Sequence, residues 1–267
     1  MLRDSLSDVF EFEPAPPADA AAIERVHDPA YVRAFLNGTL DTAAVRRIGF
    51  PWSEGLVNRT LASVGGTLAA TREALASGWG GTLAGGTHHA FPRYGSGYCV
   101  FNDFAIAIAD VRLRAAIIDL DVHQGDGTAA FFEKNPEVFT LSLHGANNFP
   151  FHKQTSKLDV VFPDGTGDSP YLETLNSVLP HVESFAPEIV FYQSGVDTLA
   201  EDTLGRLDLS LAGLAERDRL VFATVHRLGV PLVITLGGGY ANPIERTVEA
   251  HAQTFVAAAS ANLSLTK

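Results

Sequence analysis

The sequence predicts one α/β domain over residues 1–267, in which helices cover both faces of a mostly parallel β-sheet. Four short runs of β-branched and aromatic residues support this fold class, because strands buried on both faces are apolar almost throughout. These runs are Arg114–Val122, Val138–Leu143, Glu188–Ser194 and Val230–Leu236. Segments with helical periodicity alternate with them, and no linker, repeat or low-complexity stretch divides the chain.

The helices are predicted from apolar residues that recur every three or four positions. They are Asp19–Leu36, Ser53–Ala76, Ser169–Phe185, Ser210–Leu228 and Asn242–Ala259. Two of them have a recognisable start, since Asn242-Pro243 and Ser169-Pro170 each place an N-cap residue before a proline at the first helical position. Glu245 completes a pattern that resembles a capping box.

The composition excludes several classes of protein. Lys and Arg number 19 against 31 Asp and Glu, a formal charge of −12, which argues against a surface that binds nucleic-acid phosphates. No apolar run approaches the roughly 18 residues of a membrane-spanning helix, and residues 1–17 lack the apolar region of a secretory signal. The one cysteine, Cys99, excludes an internal disulfide, and we interpret it as a small buried residue. We therefore expect an acidic cytoplasmic protein that binds neither nucleic acid nor membranes.

Polar or glycine-rich segments follow each of four predicted strands. Asp119–His123, Ser194–Asp197 and Gly237–Tyr240 end three of the apolar runs, and Gly85–His89 follows the short run Thr82–Ala84. In open parallel sheets, ligands bind outside the carboxyl ends of the strands. The four segments are therefore expected to converge on one edge of the sheet and form a functional site there.

The spacing of two between Asp119, Asp121 and His123 favours a metal site. An extended chain points all three side chains to one side, where two carboxylates repel each other unless a cation intervenes. Oxygen and nitrogen ligands of this kind suit Zn²⁺ or another divalent transition metal. Asp197 is the expected third ligand, which leaves Asp119 a supporting role. The alternative, an aspartate that caps a following helix, explains one of these residues but not all three.

The tandem pair His88-His89 predicts acid–base chemistry. Two adjacent imidazoles need two partners, and Asp119 and Asp126 lie next to the proposed metal ligands in sequence. A carboxylate bound to an imidazole N–H fixes the tautomer and raises the basicity of the ring. Tyr240 follows three glycines and is a candidate donor to an oxyanion. A tyrosine that packs at the entry of the next helix explains its position equally well.

Five motifs in the chain resemble, in the same order, those of the zinc-dependent histone deacetylase family. They are Gly85–Ala90, Gly97–Asp103, Asp119–Gly127, Gln193–Asp197 and Gly237–Tyr240. The family includes bacterial acetoin-utilisation proteins and acetylpolyamine amidohydrolases. Three further segments are most similar to the class IV branch and its bacterial relatives, namely His27–Val32, Gly49–Ser53 and Ser142–Phe151. The resemblance therefore implies a fold like that of arginase and the deacetylases.

The resemblance assigns roles to the residues at the predicted strand ends. It implies a Zn²⁺ ion bound by Asp121, His123 and Asp197, with Fe²⁺ as the alternative metal. It also implies that Tyr240 polarises the scissile carbonyl. A structural K⁺ ion is implied nearby, bound by the following groups: the Asp119 side chain, Ser142, and the main-chain carbonyls of Asp121, His123 and Leu143.

The two histidines receive different roles from the same resemblance. His89, paired with Asp126, is implied to be the general base and then the general acid, and we expect its imidazole to titrate near neutrality. His88, paired with Asp119, is implied to be its electrostatic partner. Three residues are implied to contact substrate, the first of them by lining the acyl-lysine tunnel: Tyr98, Gly97 and Gly238.

The implied activity is hydrolysis of acetyl or longer acyl groups from lysine side chains of proteins or peptides. Acylpolyamines or other small N-acyl amides are the alternative substrates, and an acidic surface suits cationic substrates of both kinds. Two other classes remain open. A ureohydrolase such as arginase shares the general fold, but its binuclear manganese site needs further ligands that the sequence does not show. A non-catalytic protein that recognises acyl-lysine would keep the metal ligands without turnover.

Two segments depart from the usual pattern of the family. The chain starts inside the strand-and-helix unit that usually precedes the His27–Pro29 region, and Ile106–Arg114 is shorter than the usual helix and turn. A missing unit would leave a sheet edge or an apolar face open, so we expect a homo-oligomer. His144 and His152 are placed in a loop at the rim of the pocket.

Overall fold

The computed structural model describes residues 1–261 and 263, and it is built around six β-strands. The strands are β1 (Trp79–Gly81), β2 (Ala115–Asp119), β3 (Val138–Gly145), β4 (Leu158–Phe162), β5 (Ile189–Gln193) and β6 (Leu232–Thr235). They form one sheet in the order β1-β6-β5-β2-β3-β4, and every neighbouring pair is parallel. The predicted fold class, an α/β domain with a parallel sheet and helices on both faces, is confirmed.

Ten helices in the described residues accompany the sheet. They are α1 (Leu2–Leu6), α2 (Ala20–Glu24), α3 (Pro29–Leu36), α4 (Thr42–Ile48), α5 (Glu54–Ser77), α6 (Asp103–Val111), α7 (Asp126–Phe132), α8 (Asp168–Phe185), α9 (Leu211–Leu228) and α10 (Glu245–Ser260). No helix among the described residues is long and apolar enough to cross a membrane. The predicted domain of 1–267 includes residues 262 and 264–267, which lie outside the described part.

Alternate residues of the strands enter two hydrophobic cores, one on each face of the sheet. In β2, Ala116 and Ile118 belong to the core that includes residues of α8, α9 and α10. Ala115 and Ile117 belong to the other core, which includes residues of α2, α3, α5 and α6. Both faces of β2 are buried, which is why its sequence is apolar without alternation.

The sheet register aligns the carboxyl ends of three adjacent strands, β2, β5 and β6. Asp119 at the end of β2 pairs with Ser142 on β3 and with Gln193 on β5, and Gln193 pairs with Thr235 on β6. The segments that follow β2, β5 and β6 therefore leave the sheet at the same edge, as the sequence predicts. This common edge is where the candidate functional residues meet.

The predicted helix Asp19–Leu36 is two helices, α2 and α3. The interruption lies before Pro29, because a proline disfavours helical geometry in the residue that precedes it. Asp28 then caps α3, since its carboxylate accepts from the backbone N–H of Ala30 at 2.8 Å and of Tyr31 at 3.4 Å. The sequence pattern could not separate the two helices, since both present apolar residues to the same core.

The predicted starts of α8 and α10 are wrong by one to three residues. The N-cap of α8 is Gly167, which places Ser169-Pro170 inside its first turn. The Asn242-Pro243 peptide bond is cis, and α10 begins at Glu245 after Ile244. Glu245 therefore completes no capping box.

Several short elements have no counterpart in the prediction, namely α1, α4, α6, α7 and β4. The segment Ile106–Arg114 is mostly the second half of α6, which is apolar and buried on several sides and so lacks a clear helical stripe. The predicted position of His144 in a loop is wrong, because this residue lies in β3 and is fully buried. His152 does lie in a loop beside a cavity near the site.

Candidate active site

Two carboxylates and one imidazole meet at the carboxyl edge of the sheet. The Nδ1 atom of His123 lies 3.0 Å from Oδ1 of Asp121 and 3.1 Å from Oδ2 of Asp197. One potential ligand atom from each of the three residues lies within 4.8 Å of the others. Among the described residues, this is the one group of three such side chains with the spacing of a metal site. The sequence prediction named the same three residues.

Backbone N–H groups from separate strand ends hold the two carboxylates in place. The N–H of Val122 donates to Oδ1 of Asp197 at 2.8 Å, and the N–H of Gly238 donates to Oδ2 of Asp121 at 2.6 Å. A Cβ atom at Gly195 would collide with Asp121, and one at Gly238 would collide with Asp197. Glycine is therefore required at both positions for the loops to approach the carboxylates this closely.

The electrostatics of this group fit a bound cation. Burial raises the pKa of Asp197 to about 7, and the neighbouring Asp121 carboxylate adds to the rise. Burial lowers the pKa of His123, but its hydrogen bonds to Asp121 and Asp197 outweigh burial and raise the pKa to about 11. A proton on His123 thus compensates the two buried carboxylates. A divalent cation bound to the same three side chains would release this proton and supply more positive charge. The oxygen and nitrogen donors suit Zn²⁺ or Fe²⁺.

The tandem histidines each bind a different carboxylate, as the sequence resemblance implied. His88 Nδ1 lies 2.8 Å from Oδ2 of Asp119, and His89 Nδ1 lies 2.7 Å from Oδ1 of Asp126. The two ring centroids are 4.0 Å apart. Because a carboxylate accepts the proton of each Nδ1–H, the Nε2 atom of a neutral ring is left as the acceptor. Nε2 of His89 has no hydrogen-bond partner in the described part of the chain.

The two imidazoles have opposite protonation preferences. Burial lowers the pKa of His89 to about 4, and the charge of His88 lowers it further than Asp126 can offset. Burial also lowers the pKa of His88, but Asp119 and Asp121 outweigh it and raise the pKa to about 9. The expected titration of His89 near neutrality is therefore wrong. His89 is neutral at neutral pH, with a cationic His88 beside it.

Asp103, at the start of α6, anchors the loop that carries the histidines. This fully buried carboxylate accepts from the backbone N–H groups of Gly86 and Thr87, both at 2.8 Å. Thr67 Oγ1 donates to it at 2.6 Å. On the opposite side, Gln193 Nε2 donates to the carbonyl of Gly86 at 2.8 Å. No local sequence pattern indicates a role for these two anchors, because each acts on a segment distant along the chain.

Tyr240 lies near the metal ligands in the segment before α10, and it is 42% exposed. Its N–H donates to Oδ2 of Asp202 at 2.5 Å, and its carbonyl accepts from Thr203 Oγ1 at 2.8 Å, well before α10 begins. Burial raises the pKa of its phenol to about 12, and the carboxylates of Asp121 and Asp197 contribute to the rise. The phenol therefore keeps its proton and is able to donate a hydrogen bond in front of the metal ligands.

Aromatic residues surround the approach to His89. The Phe149 ring lies edge-on to the His89 ring with centroids 4.9 Å apart. A Cβ atom at Gly97 would lie 2.6 Å from Cδ2 of His89, so the absence of a side chain lets the backbone at Gly97 lie against the imidazole. Tyr98 is half-exposed beside Phe50, with ring centroids 5.0 Å apart. These positions agree with the predicted substrate contacts of Gly97 and Tyr98, which remain predictions.

The residues predicted to bind K⁺ lie next to the metal ligands. Asp119 and Ser142 pair across β2 and β3, and Leu143 follows in β3 with its side chain buried. Ser142 Oγ is 3.0 Å from Nδ1 of His144, and Asp119 Oδ1 accepts from the N–H of Asp121 at 3.2 Å. The K⁺ ion stays a prediction. Cys99 is buried as expected, and burial raises the pKa of its thiol.

The parallel sheet of this chain, with carboxylates and imidazoles at its carboxyl edge, matches the hydrolases that share the deacetylase and arginase fold. A family model described as the histone deacetylase domain matches residues 1–256. The chain therefore belongs to the histone deacetylase family.

Individual relatives agree with this assignment. An uncharacterised protein of Picosynechococcus is 48% identical over 239 residues, which cover 87% of this chain and 80% of that protein. Histone deacetylase 2 of Arabidopsis thaliana is 34% identical over 69% of this chain, but the match spans 50% of the plant protein's length. A solved structure of a deacetylase homolog from Aquifex aeolicus superposes with a TM-score of 0.84 at 25% identity and covers 97% of this chain and 76% of that one.

Replacing Asp197 by Ala is expected to abolish stoichiometric metal binding. The change removes one of three ligands and leaves Asp121 and His123 as a weak pair. Metal content per chain, measured after dialysis by elemental analysis, tests this. The matched control is Asp208→Ala, which removes an exposed aspartate nearby in the chain. An Asp197→Ala protein that retains one tightly bound metal ion would disprove the ligand assignment.

Replacing Asp103 by Ala is expected to destabilise the fold by about 2–5 kcal/mol, because two buried backbone N–H groups lose their acceptor. Denaturant unfolding measures this difference. Asp110→Ala, on the same helix, is the control, since Asp110 forms only partly exposed ion pairs and its loss is expected to cost about 1 kcal/mol or less. Equal stabilities of the two variants would contradict the anchoring role.

Proposed function

We propose that the protein is a metal-dependent deacylase that hydrolyses the amide of an N-acyl-lysine side chain in a protein or peptide. The observation that carries this proposal is the proximity of three kinds of functional group at the carboxyl edge of the sheet. They are a group of three residues that could hold a metal ion, a neutral His89 imidazole whose ring centroid lies 6.0 Å from that of His123, and a protonated phenol near Asp121 and Asp197. Amide hydrolysis needs these three functions: an electrophile, a base and an oxyanion donor.

Different side chains carry out the separate steps of the proposed hydrolysis. Asp121, His123 and Asp197 would hold a divalent metal, which would polarise the acyl carbonyl as a Lewis acid and lower the pKa of a water molecule. His89 takes a proton from the attacking water through Nε2 while Asp126 holds its Nδ1–H. The same imidazole then gives this proton to the departing lysine amine.

Two further residues influence the charges that develop during the reaction. Tyr240 donates its phenolic proton as a hydrogen bond to the oxyanion that forms at the acyl oxygen. His88, paired with Asp119, stays cationic beside His89. This positive charge keeps His89 neutral before the reaction and also opposes the second cation that His89 becomes when it accepts a proton.

The alternative substrate, an acylpolyamine, is supported by the net charge of −12, because an acidic protein attracts polycations. The names of relatives favour acyl-lysine, since several are called histone deacetylases, and one from Methanothermobacter thermautotrophicus is called a probable deacetylase. A binuclear hydrolase of the arginase type is disfavoured, because the described residues contain one three-ligand group. Measurement of two metal ions per chain would favour that class.

The test of the proposed function is a panel of acyl-lysine peptides, from acetyl to long-chain, measured beside acetylated polyamines. The metal-loaded protein is expected to remove the acyl group from at least one peptide, releasing the carboxylic acid and leaving the free lysine amine in the peptide, and the Asp197→Ala variant to remove none. Faster hydrolysis of the polyamines would assign the alternative substrate. Binding of acyl-lysine peptides without turnover by the fully loaded protein would identify a non-catalytic reader.

The low pKa of His89 predicts that activity persists well into mild acid. The base must be neutral, and its pKa of about 4 keeps it neutral through pH 6. We expect kcat/KM to be nearly constant from pH 7 to pH 6 and to fall only as the pH approaches about 4 to 5. The pH profile, with metal content measured at each point, tests this. A loss of activity centred near pH 6.5 with metal still bound would contradict it.

Replacing Tyr240 by Phe is expected to lower kcat by about 10²–10³, the usual effect of losing one oxyanion donor. KM should change less, because the interaction strengthens in the transition state. The metal should remain bound, since the phenol is not among its ligands. A trifluoroacetyl-lysine peptide should lose less rate, because its carbonyl is already activated. A variant within about threefold of wild type would exclude this role.

A further inference from the structure

The cavity beside His152 has a volume of about 500 Å³ and adjoins the candidate active site. Its lining includes Arg47, Phe91, Tyr94, Asp126 and Phe149. The cavity thus combines an aromatic surface with one arginine and one aspartate. The mechanism proposed above uses only Asp126 from this set, so the remaining surface has no assigned role.

This cavity shares a wall with the approach to the reacting groups. Phe149 lines the cavity, and its ring also packs edge-on against His89. The N–H of Gly97 donates to the carbonyl of Arg47 at 3.2 Å, so Arg47 is joined directly to the segment that lies against the imidazole. A substrate whose acyl-lysine reaches His89 therefore places its neighbouring residues close to this cavity.

The guanidinium of Arg47 is a cation held in position without a counter-ion. It lies over the ring of Tyr94, with Cζ 4.6 Å from the ring centroid. Tyr94 is itself stacked on Phe91 at 4.6 Å, with an angle of 17° between the rings. In the described part of the chain, no carboxylate forms an ion pair with Arg47, whereas Arg206 binds one carboxylate and Arg246 binds two. A stacked arginine of this kind keeps its donors available for a carboxylate.

The single carboxylate in the cavity wall is bound through one of its two oxygens. Oδ1 of Asp126 binds Nδ1 of His89 and the N–H of Gly127, and the side chain is almost fully buried. Arg47 is the exposed charged side chain of the cavity wall, whereas the Asp126 carboxylate is buried. An anion is therefore expected next to Arg47, away from Asp126.

We propose that this cavity is a subsite for a carboxylate side chain, the Glu or Asp of a substrate residue adjacent to the acyl-lysine. The inference rests on the proposed function only for the nature of the substrate. Arg47 is the residue that determines this specificity. The guanidinium of Arg47 also disfavours acylpolyamines as substrates. Their cationic ends would lie next to an unpaired positive charge and not next to an acidic rim.

The experiment compares acyl-lysine peptides that carry Glu, Gln or Lys as the residue before the acyl-lysine and are otherwise identical. A second series varies the residue after the acyl-lysine in the same way. Wild-type protein is expected to prefer Glu to Gln by about two- to fivefold in kcat/KM on at least one side, mainly through KM, as for an exposed charge pair. Added salt should reduce this ratio. Arg47→Glu should reverse the order so that the Lys peptide is preferred.

Arg46→Glu is the matched control, because Arg46 is the adjacent exposed arginine on α4 and does not line the cavity. It should keep the wild-type Glu-to-Gln ratio. A Glu-to-Gln ratio of kcat/KM near one for the wild-type protein would overturn the proposed subsite. An equal reduction of this ratio in Arg47→Glu and Arg46→Glu would also overturn it. Arg47→Gln, expected to remove the preference without reversing it, replaces the charge-reversal variant if thermal unfolding shows that the latter is destabilised.

A binding measurement separates failure of the subsite from failure of the proposed function. Fluorescence anisotropy with labelled Glu and Gln peptides reports the same preference without turnover. If no peptide is hydrolysed, the proposed function fails. Tighter binding of the Glu peptide that Arg47→Glu abolishes and Arg46→Glu preserves would still establish the subsite, while equal binding of both peptides would overturn it.

Discussion

The structure depends most on one electrostatic constraint, the burial of two carboxylates around a single imidazole. Asp121 and Asp197 are almost completely buried, and both lie within hydrogen-bond distance of His123 Nδ1. Buried charges of like sign are unfavourable unless cations and hydrogen-bond donors compensate them. The N–H groups of Val122 and Gly238 supply part of that compensation, and a divalent cation suits the rest. The loops after β2 and β6 place these two N–H groups next to the carboxylates.

The parallel sheet makes this arrangement possible because its register brings distant segments to one edge. Asp119 and Gln193 end adjacent strands in the same row, so the loops that carry His123 and Asp197 start side by side. Close packing of these loops then demands glycine where a Cβ atom would meet a carboxylate, as at Gly238. The glycine-rich sequence after β6 therefore reflects the approach of a backbone to the metal ligands and not a phosphate-binding loop.

The parts of the site that could be predicted are those that a local pattern encodes. Asp121 and His123 follow a buried strand at a spacing of two, and the position of Asp197 after another apolar run places it at the same edge. Features that arise from tertiary contacts escaped prediction. Asp103 binds a loop that is distant in sequence, and His144 is buried in a strand although its neighbours in sequence are typical of a loop.

The environment of the tandem histidines shows why residue type and spacing do not determine a chemical role. His88 and His89 are adjacent, equally buried and each bound to one aspartate. His88 also lies near Asp121, with Nε2 3.9 Å from its Oδ1, and this second carboxylate favours the protonated ring. His89 instead faces the cationic His88 and an aromatic ring, so burial prevails and the ring is neutral. Asp119, with Asp121 adding to its effect, thus keeps His88 protonated, and the charge of His88 leaves the His89 ring free to accept a proton.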